Sequence, residues 1–178
     1  MRRLPGCAVR TSQDSQIRGE VRMDMVVALL AFIQSVTGYA LPSYAPQIVR
    51  VDHTRIANML LCEGACEAFA YYKDGVVYID RDADVEHDLK ARSILLHELT
   101  HWLQDANCAF CGVAAGSYRW RLREADAYEA QSKYLFAVSG TPVRFARFAD
   151  PEEVAALRAH ATLPSLAKSM PAGYSVQN

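Results

Sequence analysis

Ile94-Leu95-Leu96-His97-Glu98-Leu99-Thr100-His101-Trp102-Leu103-Gln104 is the stretch on which the reading of this chain turns. Its leucines, Ile94 and Trp102 make it a strongly apolar helical segment. A helix advances 3.6 residues per turn, so His97 and His101 project from one face, one above the other. Two imidazoles at that spacing can hold a single divalent metal. Glu98 is turned by about 100° around the axis, where it can reach a metal-bound water without ligating the metal. A Lewis acid, a water and a base together suffice for metal-assisted hydrolysis.

Outward from this segment the chain reads as one α+β domain. It has 178 residues, enough to bury a core without staples, and its composition of 51% hydrophobic and 22% charged residues is ordinary for a globular protein. A formal net charge of -1 gives no global field to draw the chain to nucleic acid or to an anionic surface. The longest apolar run, 25–33, is too short for an integral membrane segment. Asp24 stands where a signal peptide would carry positive charge, so this run reads as a buried amphipathic helix over 24–37, stopped by Gly38.

A strand is expected at 48–51, and 55–66 is ambiguous between helix and strand. Residues 68–72 and 76–80 read as a hairpin around Asp74-Gly75, with Tyr71, Tyr72 and Tyr78 packing across it. Asp84 or Asp88 caps the helix that carries His97, which ends near Asp105. Residues 106–116 form a loop, and Ser117 caps a long helix to about Ser139, closed by Gly140 and Pro142. Asp150-Pro151-Glu152-Glu153 starts another helix that ends near His160. Residues 1–22 read as a disordered extension, 23–160 as the metal-binding domain and 161–178 as a flexible tail.

Two histidines leave a metal site incomplete, because catalytic zinc takes three protein ligands and a water. The extended pattern with a third His six residues after the second fails, since Gln104 and Asn107 occupy the positions that need Gly and His. A carboxylate on the next helix is the other solution. Glu124 shares a face with Tyr128, Gln131, Leu135 and Val138, and the last two mark that face as inward. Glu129 lies on the neighbouring face of Leu122, Ala125 and Phe136 and is the alternative; Asp126 is expected to be exposed. Glu124 would otherwise lie exposed and pair with Arg121 or Arg123.

The sequence His97-Glu-Leu-Thr-His101, followed by Glu124-Ala-Asp-Ala-Tyr-Glu-Ala-Gln131, resembles the gluzincin branch of the zincin metallopeptidases, and also a group of small bacterial zincin-like proteins. The resemblance spans about 24–140. It implies a minimal zincin-like fold, in which a small sheet containing an antiparallel pair packs on the histidine helix and a following ligand helix. It implies Zn²⁺ held by His97, His101 and Glu124, with Glu98 as general base acting on a peptide or protein substrate. In gluzincins an Asp four residues after the third ligand commonly orients a zinc-binding His. Here Tyr128 stands there, a departure whose phenol can serve as an outer hydrogen-bond partner. Tyr118, Tyr128 and Arg121 are candidates to help stabilise an oxyanion. Fold analogy suggests a substrate strand pairing with the edge at 76–80. The competing readings are a zincin-like binding protein without turnover and a non-peptidase amide or ester hydrolase.

Four cysteines form close pairs, Cys62 with Cys66 and Cys108 with Cys111, while Cys7 stands alone. Two disulfides lead among the readings, ahead of reduced thiols and of a second, structural zinc held by all four. The absence of a clear signal favours the cytoplasm, whereas disulfides would imply an extracytoplasmic location. His53, His87 and His160 lack partners at ligand spacing and read as surface residues.

Overall fold

The computed structural model describes residues 20–62 and 67–143. The expected helix at 150–160, the tail at 161–178, His160 and Cys7 lie outside that range, as do most of the extension at 1–22 and Cys66. The described residues form an α+β arrangement of four helices and a three-stranded mixed sheet.

Helix α1, Met23–Thr37, buries Val26, Leu29, Leu30 and Ile33. That spacing puts one apolar stripe on the interior, and Gly38 ends the helix in the left-handed region at φ 80°. Strand β1, Gln47–Val51, leads into the short helix α2, His53–Met59, which settles the ambiguous 55–66 stretch as helical at its start. Strands β2, Ala70–Lys73, and β3, Val76–Asp80, form the expected hairpin. Asp74 at φ 50° and Gly75 at φ 84° both have the positive φ that a tight two-residue turn needs.

The strand order is β1-β3-β2, with β3 antiparallel to β2 and parallel to β1. The edge expected at 76–80 is not exposed. Instead β3 is the central strand, paired on both sides, and it cannot receive a further strand. Its Val77 and Ile79 are almost completely buried.

Helix α3, Leu89–Ala106, lies at the centre of the described residues and packs against α1, α4, β2 and β3. Of the two candidate caps the chain uses Asp88, whose side chain accepts from the Lys90 amide; Asp84 instead accepts from the amide and ring of His87. Helix α4, Tyr118–Ser139, starts with Ser117 accepting from the Trp120 amide and ends at left-handed Gly140. The core joins the α1 stripe to Leu95, Leu96, Leu99, Trp102 and Leu103 of α3, Val77 and Ile79 of β3, and Ala130 of α4.

Candidate metal centre

Every residue from Leu95 to Gln104 is buried, so the polar ones among them need partners inside the protein. Thr100 donates to the Leu96 carbonyl one turn back. Glu98 Oε2 accepts from the Tyr72 amide of β2 at 2.8 Å. His101 Nδ1 and Gln104 Oε1 lie 2.8 Å apart, and Gln104 Nε2 donates to the Arg123 carbonyl of α4 at 2.9 Å. His97 Nδ1 is the exception, a buried ring nitrogen without a hydrogen-bond partner. The His97 ring packs on Tyr128, centroids 4.4 Å apart.

The other nitrogens of the two histidines converge. His97 Nε2 and His101 Nε2 are 3.1 Å apart, His101 Nε2 is 3.3 Å from Glu124 Oε1, and His97 Nε2 is 3.5 Å from Glu124 Oε2. Four ligands placed tetrahedrally around one ion at about 2.1 Å lie roughly 3.4 Å from one another. The three separations match that edge, and the donors are two imidazoles and a carboxylate. His97, His101 and Glu124 therefore form a group that could hold a metal ion.

Burial and charge pull the two carboxylates apart. Burial raises the Glu98 pKa above the usual carboxylate value, with Glu124 adding to the rise, against the lowering effects of His97 and the Tyr72 amide. Burial also pushes Glu124 upward, but the neighbouring rings of His101 and His97 outweigh that and hold it well below the usual range. Glu124 is thus the permanent anion of the group and Glu98 the carboxyl that takes up a proton more readily.

Glu124 sits beside the histidines, yet the reason that selected it holds only for the first half of α4. Gln131 on its face is buried, whereas Leu135 is half-buried and Val138 is 53% exposed, because α4 runs past the core. Glu129 is directed elsewhere and pairs with Lys133 at 2.9 Å. Asp126, expected to be exposed, is half-buried and accepts from the Tyr39 phenol.

Tyr71 and Tyr78 are cross-strand partners, but Tyr72 leaves that cluster. Its ring lies 6.5 Å from that of His101, under the Arg123 guanidinium at 5.7 Å. Burial, and next a bond to Asp105, push its phenol pKa up. His53 was expected at the surface and is half-buried, its Nδ1 2.8 Å from Asp80 Oδ2; His87 is exposed as expected. The sequence reading missed Gln104 and Tyr72 as partners of the site. Gln104 had a signal, since position i+3 from His101 shares its face. Tyr72 contributes its backbone amide, for which no side-chain pattern exists.

Cys108 and Cys111 are bonded to each other, S–S 2.04 Å, in the loop between α3 and α4. This removes two of the four thiolates that a structural zinc would need. Cys62 is disulfide-bonded as well.

Compared with known proteins, the chain matches no family model, no curated protein and no solved structure.

Proposed function

We propose that this protein is a zinc-dependent hydrolase of zincin-like fold that cleaves peptide or protein substrates. The observation that carries the reading is the triangle of His97, His101 and Glu124 donors, with the carboxylate of Glu98 beside it tied to the sheet. When bound, zinc would supply a Lewis acid and a water acidified to a pKa of about 7.

The chain's own groups do the rest. Glu98 Oε2 is held by the Tyr72 amide, which leaves Oε1 to take the proton of the attacking water and pass it to the leaving amine. Burial raises the proton affinity of this carboxyl, which suits a base that must carry the proton between two steps. Glu124 stays anionic and offsets part of the metal's charge. The Cys108–Cys111 bond supports an oxidising compartment. No helix among the described residues is long and apolar enough to cross a membrane.

A binding protein without turnover is the second reading, and the unpartnered Nδ1 of His97 is what favours it, since metal-ligating imidazoles ordinarily donate their other nitrogen to an oxygen. One set of measurements separates the readings. Purified full-length protein should carry about one zinc per chain. Glu124→Ala should lose most of it; equal zinc in both would remove Glu124 as a ligand. Glu98→Gln should keep the zinc and lose at least about 100-fold in cleavage of a broad peptide library. Wild type as inert as Glu98→Gln would leave the binding reading, while cleavage of small amides or esters alone would make it a non-peptidase hydrolase.

A further inference from the structure

The Arg123 carbonyl sets which nitrogen of His101 is free to bind a metal. A backbone carbonyl can only accept, so the end of the Gln104 side chain that faces it, 2.9 Å away, must be the NH₂. This fixes the amide orientation, which atom positions alone leave open. Oε1 then faces His101 Nδ1 at 2.8 Å, and Oε1 can only accept, so Nδ1 must carry the proton. A neutral imidazole with its proton on Nδ1 has its lone pair on Nε2. Nε2 is the atom that meets His97 Nε2 and Glu124.

We infer that Gln104 is a positioning residue that selects the Nδ1–H tautomer of His101, with the Arg123 carbonyl as the fixed end of the relay. The inference rests on the metal-site reading above and assigns this chain's counterpart of the carboxylate missing at Tyr128. Three features make the relay rigid. Gln104 is 0% exposed, so water cannot replace either bond. Gln104 sits one turn after His101 on the same helix. Its far end is anchored on α4 at the residue immediately before Glu124, so the bond that orients the second ligand also fixes the approach of the third. His97 has no such relay, because its Nδ1 is buried without a partner. The two histidines are therefore unequal: the relay orients His101, and His97 has no partner at Nδ1 to do the same.

Long-range ¹H–¹⁵N NMR of the imidazoles in the full-length, zinc-free protein at pH 8 tests this without relying on activity. His101 should be protonated at Nδ1. Protonation at Nε2 alone overturns the inference, whatever the variants do. Gln104→Met keeps the side-chain volume and removes the acceptor; it should move the His101 proton to Nε2 and weaken zinc binding by about 10–100-fold. Gln104→Glu restores the acceptor that faces Nδ1 while losing the donor to the Arg123 carbonyl, so it should restore the Nδ1 proton and part of the affinity. A Met variant with the wild-type tautomer and affinity would show that Gln104 only fills space. If the Met variant does not fold, the wild-type tautomer decides. Wild type that binds no zinc would sink the metal reading, whereas the zinc-free spectrum still reports on the relay, so the two failures are distinguishable.

Discussion

Glu98 is under two opposed demands. The chemistry needs its carboxylate next to a cation, but the fold buries it in the middle of α3 with a single backbone donor, the Tyr72 amide. In metal-free protein burial dominates and its pKa is raised above the ordinary 4.5. Between the ordinary and the raised value the folded state holds a proton that the unfolded chain has released. Stability must therefore fall as pH rises through that window. Glu98→Gln keeps an oxygen for the Tyr72 amide and removes the ionisation. Metal-free Glu98→Gln should match wild type in urea unfolding at pH 4 and exceed it by roughly 1–2 kcal/mol at pH 8, the cost of a buried, poorly paired carboxylate. Equal stability at both pH values would mean that Glu98 is well solvated. The same variant should lack cleavage, so stability and activity would part at one atom pair, as they do where a site is strained for function.

Among the elements, local signals were legible and non-local ones were not. Asp88, Ser117, Gly38 and Gly140 bound their helices through contacts within a few residues, and the sequence announces such contacts. The Asp74-Gly75 turn is of the same kind. Strand order is not, because β1 reaches β3 only after α2 and the following loop, and no local rule says on which side it docks. One signal is present: 76–79 is an unbroken apolar run, the mark of a strand flanked on both sides. His97, Glu98 and His101 were legible as a periodic pattern on one helix, whereas Glu124 depended on how far α4 stays against the core. The turn itself gives a test. A Cβ at Gly75 would meet nothing within 4 Å, so substitution there costs only the positive φ of 84°. Gly75→Ala should lower stability by about 1–2 kcal/mol and Gly75→Asn by less, read from urea midpoints at unchanged slope. An Ala variant as stable as wild type would mean that the hairpin closes by a different turn.

At the scale of the whole molecule, the question is whether metal is part of the fold or a guest in it. One apolar cluster links α1, β2, β3, α3 and α4. Gln104 and Gln131 add buried bonds between α3 and α4, to the Arg123 carbonyl and the Ser93 hydroxyl, that need no ion. The metal-free chain should then keep its tertiary structure, unlike a small zinc finger. Loading still stabilises by mass action, about 4 kcal/mol when free metal is 1,000 times its Kd. For a chain of this size that corresponds to a Tm shift of roughly 8–16 °C. Chelation with EDTA should therefore lower the Tm by that order while leaving the near-UV circular dichroism intact, and added zinc should reverse the shift. Glu124→Ala should melt at nearly the same temperature with and without EDTA. Protons compete with metal for the same three donors, so the gain from zinc should shrink as pH falls. Loss of the near-UV signal on chelation would make the ion a structural member of the core. A wild-type Tm indifferent to both EDTA and zinc would leave His97, His101 and Glu124 as a buried hydrogen-bonded cluster with no ion to serve.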